Sequence, residues 1–536
     1  DAREYHERTK HSPESVRGSS HRLDPRTKPR PYKVYTDVPS VAPASPVEGP
    51  TTPALKAIAT ASPEPPVENG TAEPADPPLH TLCHYATGIT KTLRRQGEEV
   101  PFRAAACTGK LYHVDLYAVT GDCGPDGPGV YHFDPHEDRF DVLREGEYRS
   151  VLAAAAGAEG GDGTGIAEAP AILVATSTWW RNAWKYRERT FRHAFWDSGT
   201  ILANLLASAH ALGHRAAVVG GFADGPVVDL LGLDPDEEAP LELIPVGRGD
   251  PVASAAAAAG DLAPIDPTTE PLSPSQEEYP LVPDAWRQST LAEGDAAADW
   301  RGTVRDAAPT DVGRAPPGDG ERVDLDPVDA ATASARPTGT TIERRGSCRE
   351  YARESISARK LATVLDRALR GVPGDWAGVW SGEGRDEGSG DGEEGPHPVA
   401  PGRLLDAYVL VHAVEGIESG AYQYHPGEEA LERIGETDRE TAGRLALGQP
   451  VVGDAAANVY LLADVEAIVS HVGNRGYRLA QLEGGIALGR LYLATYAHRT
   501  LGGRGFTFFD DLVTDHLSPR AAEQTPMTLF ALGRPA

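Results

Sequence analysis

Cysteine is scarce in this sequence. The four cysteines, Cys83, Cys107, Cys123 and Cys348, are scattered and form neither a CxxC pair nor a cysteine and histidine cluster. A structural zinc site needs such a cluster, so no metal site is predicted and the cysteines are interpreted as reduced thiols. Disulfides are not needed for stability, because a chain of 536 residues can bury two or three hydrophobic cores.

Long hydrophobic runs are also lacking. No stretch approaches 18 consecutive apolar residues, and residues 1–10 are largely polar. Neither a membrane-spanning helix nor a signal peptide is therefore predicted. We expect a cytoplasmic protein without a membrane partner.

Positive charge is outweighed by negative charge. The chain has 51 basic and 79 acidic residues, a net charge of −28, and eight of the basic residues are lysine. A nucleic-acid partner is not predicted, because phosphate backbones are bound by a concentrated positive surface. The acidic excess suits solubility in high salt, which suggests a halophilic source. A GC-rich genome would also favour arginine over lysine.

Composition divides the chain into two globular blocks. Residues 38–78 and 250–339 are rich in proline, alanine and glutamate and are predicted to be linkers. Residues 381–399 are almost entirely glycine, aspartate, glutamate and serine, which predicts a flexible acidic loop. The predicted first domain therefore comprises residues 1–37 and 79–249, and the second comprises residues 340–536.

The two blocks repeat each other. Residues 115–119 precede residues 129–135 by the same spacing that separates residues 406–410 from residues 420–426. Alternating β-branched and aromatic residues in these segments predict a pair of strands in each copy.

A second repeat precedes two long apolar segments. Residues 189–192 are followed by Asp197, and residues 475–478 are followed by Glu483. Each repeat leads into a predicted helix that is apolar around most of its circumference and therefore buried on several sides. We expect these helices to pack across a pseudo-twofold axis within one chain. The two acids are predicted to pair with Arg192 and Arg478, or to act as charges at the helix starts.

Several strings in this order resemble the nitroreductase flavoenzymes, and in particular their SagB-type dehydrogenase branch. They are YHERTKH at residues 5–11, RRGSCR at 344–349, GNRGYR at 473–478 and GFTFFDD at 505–511. The resemblance implies two nitroreductase-like α+β domains, fused as an intrachain pseudo-dimer with long central helices. It also implies FMN bound between them. Such a pseudo-dimer would satisfy the interface within one chain, and the sequence leaves open whether two chains associate further.

The resemblance implies residues for the FMN phosphate. The family places an arginine and serine string before its first helix, and Arg344, Ser347 and Arg349 match it in the second copy. An ordinary capped helix start would use the same residue types. The first copy offers Arg8, Thr9 and Lys10, although a charged terminal segment is often disordered.

Two further segments are implied to approach the flavin ring. The family has a small-residue turn here, and this chain has Thr108 and Gly109 in its place. Gly220 and Gly221 follow the first central helix, where backbone amides of the family lie near the ring. A simple turn between helix and strand explains the same glycines.

Lys185 and Tyr186 are the implied catalytic residues. Azoline-oxidising relatives carry a Lys-Tyr pair just before the arginine string that opens the central helix, and the second copy has His471 and Val472 there. Loss of hydride to FMN requires removal of a proton, which Lys185 or Tyr186 could accept if burial and nearby charge shift its pKa. A surface lysine beside a half-buried tyrosine is the alternative.

The implied function is an FMN-dependent oxidoreductase, with one active site of this kind. The favoured reaction is dehydrogenation of a peptide or related small substrate, such as azoline to azole. A reductase that transfers hydride from NAD(P)H to nitroaromatics or quinones is one alternative. A degenerate, non-catalytic scaffold with the same fold is another.

Overall fold

The computed structural model describes most of the chain. The described residues are all of 1–536 except 44–46, 66–75, 96–97, 159–163, 250–261, 308–314, 316–317, 331–335 and 377–402. The predicted acidic loop at 381–399 lies outside them. We call residues 1–249 the first half and residues 250–536 the second half.

The first half is built on an antiparallel sheet whose strands are rich in valine and leucine. Its order is β1-β6-β5-β4-β7-β8, and β2 and β3 form a separate hairpin. Tyr117 on β4 is opposite His132 on β5, so the pair of strands predicted from the repeat is confirmed. The strands are β1 (Ser40–Val41), β2 (Ile89–Arg95), β3 (Glu98–Arg103), β4 (Val114–Thr120), β5 (Gly129–Asp134), β6 (Arg139–Glu145), β7 (Ala171–Thr178) and β8 (Glu238–Val246).

The second half has a matching antiparallel sheet. Its order is β14-β15-β13-β10-β11-β12-β9, so β12-β11-β10-β13-β15 repeats the succession of β6-β5-β4-β7-β8. Tyr408 is opposite Gln423, which confirms the second predicted strand pair. The strands are β9 (Arg322–Asp324), β10 (Asp406–Val411), β11 (Gly420–His425), β12 (Ala430–Gly435), β13 (Ala457–Ala463), β14 (Gly502–Phe506) and β15 (Thr525–Gly533).

Sixteen α-helices are found in the described residues, and none of them is long and apolar enough to cross a membrane. They are α1 (Ala2–Arg8), α2 (Pro13–Arg17), α3 (Ala54–Ala57), α4 (Leu79–Thr87), α5 (Arg149–Ala155), α6 (Trp179–Tyr186), α7 (Thr190–Ala211), α8 (Asp224–Leu231), α9 (Leu281–Arg287), α10 (Gly294–Ala307), α11 (Thr338–Arg344), α12 (Ala358–Leu369), α13 (Arg439–Leu445), α14 (Pro450–Asp454), α15 (Val465–Ala497) and α16 (Asp510–Leu517).

The long helices α7 and α15 pack against each other at the centre of the molecule. They cross where two glycines allow their backbones to meet: a Cβ on Gly199 would lie 2.3 Å from the carbonyl carbon of Gly485. Gly199 and Gly485 each lie two positions after the acids Asp197 and Glu483, which the sequence repeat aligns, so the repeat aligns the two glycines as well. The helix pairing predicted from the repeat is therefore present, and both helices are buried around most of their surface, as expected for apolar helices.

The segments predicted to be linkers are packed in their described parts. In residues 38–78, β1 extends the first sheet and Leu55 of α3 is buried. In residues 250–339, α9 and α10 lie on the core, and Trp286 is only 4% exposed. The proline, alanine and glutamate content predicted solvated chain, but isolated apolar side chains in these segments bury enough surface to hold them.

Candidate functional site

A cavity of about 1430 Å³ lies between the two halves. The first half contributes α1, the turn at residues 107–110 and the junction of α6 and α7. The second half contributes residues 345–349 and β14. A volume of this size exceeds that of a typical drug-sized ligand pocket, so it has room for a cofactor together with a substrate. We call it the main cavity.

Lys185 and Tyr186 line the main cavity at the end of α6. Arg187 has a left-handed backbone with φ of 49°, which ends α6 and separates it from α7. The same break occurs in α15 at Gly473, where φ is 72°, so His471 and Val472 occupy the corresponding helix end. The structure therefore places the two predicted catalytic residues side by side in the cavity wall, with the Lys185 Nζ 5.1 Å from the centre of the Tyr186 ring.

The protonation of these two side chains is shifted in opposite directions. Burial and the nearby Lys28 lower the pKa of Lys185. Burial, together with the negative charges of Asp197 and the Cys107 thiolate form, raises the pKa of Tyr186. Both shifts disfavour the charged form, so Tyr186 is a proton donor at neutral pH and Lys185 loses its proton more readily than an ordinary lysine.

Asp197 holds the turn at residues 107–110, which lies against Tyr186. Its carboxylate accepts hydrogen bonds from the Thr108 amide at 2.9 Å, the Thr108 hydroxyl at 2.7 Å, the Cys107 thiol at 3.1 Å and the His113 Nε2 at 2.9 Å. The thiol, imidazole and carboxylate atoms lie within 4.8 Å of one another, a spacing that these hydrogen bonds explain. The Thr108 hydroxyl therefore helps to hold the turn in place through its hydrogen bond to Asp197.

Gly109 lets Tyr186 lie directly over the turn. Its φ is +64°, and a Cβ there would be 2.7 Å from the Tyr186 hydroxyl. Glycine is therefore required both by the backbone conformation and by the close approach of the phenol. Behind the ring, His193 meets Tyr186 edge to face at 4.6 Å. Burial keeps the pKa of His193 well below its usual value, so its ring is neutral.

The second half lines the cavity with three arginines. Arg345 donates hydrogen bonds to the carbonyl groups of Ala104 and Arg103, at 3.0 and 3.3 Å. No acid in the described part of the chain pairs with Arg349 or Arg504, which both line the cavity. Burial and the charge of Arg349 lower the pKa of Arg504. An anion is the partner that this arrangement lacks.

Only part of the string predicted to bind phosphate reaches the cavity. Ser347 and Arg349 line it, whereas Arg344 is exposed and outside the lining, where Arg345 takes its place. Arg344 is the last residue of α11. The neighbouring residue therefore points to the other side, which the sequence string alone could not resolve because it contains two adjacent arginines.

The residues predicted from the first copy line the cavity but are bound elsewhere. Lys10 pairs with Glu7 and Asp511, at 2.7 and 2.9 Å. The buried Thr9 hydroxyl accepts a hydrogen bond from Arg192 and donates to a carbonyl of α1. Arg8 is mostly exposed, 3.5 Å from Glu4. Their charges and donors are therefore used in holding α1 in place, which leaves little for a phosphate.

Gly220 and Gly221 lie outside the main cavity. Their amides donate to the two carboxylate oxygens of the buried Asp375, at 2.8 and 2.9 Å. The adjacent Trp376 is 1% exposed and donates from Nε1 to Glu483. We call these five residues the closed crevice. The sequence prediction that these glycine amides approach the cofactor does not fit this arrangement, because a carboxylate of the chain already occupies them.

The arginines at the start of the central helices pair with acids other than those predicted. Arg192 binds Asp510 at 2.6 Å, and Arg478 binds Asp224 at 2.8 Å. Asp197 instead binds the turn at 107–108, and Glu483 accepts from Trp376. The interpretation of Asp197 and Glu483 as arginine partners is wrong, because each acid lies five positions after its arginine. That spacing turns the acid about 140° around the helix axis, away from the guanidinium group.

These arginine pairs follow one pattern in both halves. Arg192 donates to the His6 carbonyl and the Thr9 hydroxyl, and the His11 amide donates to Asp510. Arg478 donates to the Trp286 carbonyl and the Ser289 hydroxyl, and the Leu291 amide donates to Asp224. Trp286, Ser289 and Leu291 have the spacing of His6, Thr9 and His11. Helix α9 therefore has the position in the second half that α1 has in the first.

Sequence reasoning missed four residues of the main cavity: Arg345, Arg504, Cys107 and His193. The arginine doublet pointed to Arg345 within one residue. Arg504 stands at the start of the GFTFFDD string, so its place beside a recognised motif was a usable signal. His193 is a single histidine in an apolar helix, and no pattern in the sequence marks it.

Comparison with known proteins agrees with this geometry. Residues 129–248 match the sequence description of the nitroreductase family. A Methanocaldococcus jannaschii protein whose name places it among the nitroreductases is 28% identical over 173 residues, which are 32% of this chain and 80% of that protein. The crystal structure of a nitroreductase-like protein from Anabaena variabilis is similar over 100% of this chain and 99% of its own, with a TM-score of 0.72 and 23% identity. At that identity the crystal structure establishes the fold alone. The chain therefore carries a nitroreductase-family domain at residues 129–248, as expected for an oxidoreductase.

Proposed function

We propose that the protein is an FMN-dependent dehydrogenase of the SagB type, which oxidises a peptide or a related small substrate from azoline to azole. The observation that carries this proposal is the meeting of Lys185 and Tyr186 with Arg349 and Arg504 in one cavity. The first pair comes from the first half and can move a proton. The second pair comes from the other half and can hold a phosphate.

The main cavity fits FMN on two counts. Two arginines without acidic partners in the described part of the chain, together with the Ser347 hydroxyl, supply charge and donors for a phosphate. The turn held by Asp197 lines the cavity beside Tyr186, which packs on Gly109, and so offers a fixed wall for a flat ring. FMN, when bound, would accept the hydride that leaves the oxidised carbon.

The protein side chains would handle the proton. Lys185 is the better acceptor, because burial and Lys28 both lower its pKa. Tyr186 keeps its proton and can donate a hydrogen bond to the substrate or to Lys185, since its pKa is raised. His193 packs against the Tyr186 ring and holds it over Gly109.

We also propose that the two halves are two nitroreductase-like copies that form a pseudo-dimer within the chain. The matching strand order, the glycine crossing of α7 and α15, and the paired arginine patterns support this. The pattern around Arg478 includes α9, so the second copy begins near residue 279 rather than at 340.

One flavin site per chain is part of the proposal. Gly220 and Gly221 precede Asp224 by the same spacing in the sequence by which Phe506 and Thr507 precede Asp510. Phe506 and Thr507 line the main cavity. The closed crevice is therefore the counterpart of that part of the main cavity. Asp375 and Trp376 fill it, and Arg301 of α10 binds the Gly221 carbonyl at 2.7 Å.

The first experiment is quantitation of FMN released by heat from the purified protein. We expect close to one FMN per chain, and loss of nearly all of it in the Arg349→Ala, Arg504→Ala double variant. Two FMN per chain would contradict the single site. A colourless protein that takes up no added FMN would support the non-catalytic scaffold instead.

The reaction itself is tested with a thiazoline-containing peptide and the flavin-loaded protein. Lys185→Met and Tyr186→Phe should each lower kcat by at least tenfold, on the order of one lost proton-transfer or hydrogen-bonding group. His471→Met is the matched control, because His471 occupies the corresponding helix end outside the main cavity. Rapid NAD(P)H oxidation with a quinone, without peptide oxidation, would favour the reductase.

A further inference from the structure

Lysine is concentrated at the main cavity. The chain has eight lysines, and Lys10, Lys91, Lys110 and Lys185 line this one cavity. The acids among the lining residues are Glu188, Asp197 and Glu343. In a protein of net charge −28, such a lining is a local reversal of sign, and a cleft concentrates the field of its charges.

Three lysines of the first half form a group with no acidic partner in the described part of the chain. They are Lys110 and Lys185, which both line the main cavity, and the exposed Lys28 at its edge. Lys28 follows Thr27, whose hydroxyl accepts a hydrogen bond of 3.2 Å from the indole of Trp184, the residue before Lys185. The positive charge of Lys28 lowers the pKa of both Lys110 and Lys185. Lys110 lies over the ring of Phe102, with Nζ 4.7 Å from its centre. In contrast, Lys10 pairs with two acids and Lys33 with Glu238.

This group is separate from the arginines proposed for the FMN phosphate. Arg349 and Arg504 belong to the second half and act on each other. The lysines belong to the first half, beside the turn at 107–110 and the end of α6. A phosphate held by the arginines would therefore leave the charges of Lys28 and Lys110 uncompensated.

Positive charge on Lys28 and Lys110 that no anion compensates raises the free energy of the folded protein. Burial is the larger cause of the lowered pKa of both Lys110 and Lys185, and the positive charge of Lys28 is the smaller cause. An anion beside Lys28 and Lys110 would remove their repulsion and gain charge-assisted hydrogen bonds, including one from the half-buried Lys110. Lys185 would lose the influence of Lys28 but keep the larger cause of its lowered pKa, which is its own burial.

We propose that the substrate bound beside Tyr186 carries an anionic group, a carboxylate or a phosphate, which Lys28 and Lys110 hold. This inference rests on the proposed flavin-dependent function and specifies its substrate class. The anionic group fixes which end of the substrate enters first, so that the carbon to be oxidised lies beside Lys185.

Two probes with the same ring and different charge test the proposal. 4-Nitrobenzoate and 4-nitrobenzyl alcohol are titrated into the oxidised, flavin-loaded protein, and the change in flavin absorption gives each Kd. At about 0.1 M salt we expect the benzoate to bind at least tenfold more tightly. The ratio should fall at about 1 M salt, where the Debye length shrinks from about 10 to about 3 Å.

Substitutions identify the groups that hold the anion. Lys28→Met and Lys110→Met should each weaken benzoate binding about three- to tenfold and change the Kd of the alcohol much less. Lys360→Met is the control, because Lys360 is outside the cavity and binds Thr500. Lys28 is exposed, so its variant remains informative if the Lys110 variant does not fold.

The outcomes separate this proposal from the proposed function. A flavin-loaded protein that binds both probes equally would overturn the anionic substrate alone, as would equal losses for both probes in the Lys28 variant. An effect of Lys360→Met as large as that of Lys28→Met would also overturn it. A protein that takes up no flavin would overturn the function and this proposal together.

Discussion

At the residue scale, the site depends on a glycine as much as on its charged groups. Gly109 combines a left-handed backbone with a Tyr186 hydroxyl that occupies the space of a Cβ. The phenol of Tyr186 is thus positioned by packing against the turn at residues 107–110. Asp197 holds this turn in place. A side chain at 109 would push Tyr186 away from the cavity wall.

Gly109→Ala should therefore lower kcat of the flavin-loaded protein by at least tenfold, because Tyr186 must move. Steady-state kinetics and flavin content measure the effect. Gly127→Ala is the matched control: Gly127 has φ of +85° but nothing within 4 Å of its Cβ position. It carries the backbone strain without the collision. Equal losses in both variants would show that strain alone, and not the position of Tyr186, matters.

Single residues were predictable from sequence where a string of neighbours identified them. Lys185, Tyr186, Ser347 and Arg349 all reach the cavity. Arg344 does not, because the direction of one side chain at the end of a helix depends on where that helix stops. The hydrogen-bond partners of Asp197 could not be predicted from the sequence either, since they lie about 90 positions away along the chain.

At the element scale, the crossing of α7 and α15 sets how closely the halves approach. Gly199→Ala should lower the free energy of unfolding by about 1–3 kcal/mol, because its Cβ would meet the Gly485 backbone at 2.3 Å. The midpoint of urea denaturation measures this. Gly225→Ala in α8 is the control, with open space around its Cβ position. It should be neutral or slightly stabilising.

Glu242 on β8 introduces a pH dependence into the packing of α7 on the first sheet. It is fully buried, accepts a hydrogen bond from Ser198, and burial raises its pKa to about 8. The folded state keeps this proton while the unfolded state releases it near pH 4.5. The contribution of Glu242 to stability is therefore fully present below about pH 4.5 and is lost as pH rises to about 8.

Glu242→Gln should remove this dependence. Relative to the wild type, the variant should gain up to about 1.4 kcal/mol of stability per pH unit across that window. Urea denaturation at pH 5, 7 and 9 measures the difference. Glu440→Gln, at an exposed site, should follow the wild-type curve. Parallel curves for the Glu242 variant and the wild type would contradict the raised pKa.

Elements were predictable from sequence where their pattern repeated. The strand pairs β4-β5 and β10-β11 follow from matched spacing and alternation. Helices α9 and α10 were hidden within a proline- and alanine-rich segment, because a single buried Trp286 or half-buried Trp300 does not alter its average composition. Their place depends on long-range contacts with α7 and α15, which local pattern does not encode.

At the scale of the whole molecule, buried charges join the halves. Asp510 of the second half compensates Arg189 and Arg192 of the first, and Asp224 of the first compensates Arg475 and Arg478 of the second. All six side chains are nearly or fully buried. Removing one acid leaves two guanidinium groups without a counterion in a dry environment, which is costly.

Asp510→Asn should therefore lower the free energy of unfolding by about 3–5 kcal/mol, measured by chemical denaturation. Asp511→Asn is the matched control, because Asp511 is exposed and only pairs with Lys10. It should cost no more than about 1 kcal/mol. If both variants were equally stable, the buried pairs would not join the halves energetically.

The closed crevice affects how such a protein can change through amino-acid substitutions. In an assembly of two identical chains, a substitution alters both sites at once, so filling one site would destroy the other. Here Asp375 and Trp376 are encoded once, and they fill one crevice without touching the main cavity. A single chain is also unaffected by dilution, since its halves cannot diffuse apart. The closed crevice is thus free to serve as a permanent structural support for the chemistry proposed for the main cavity.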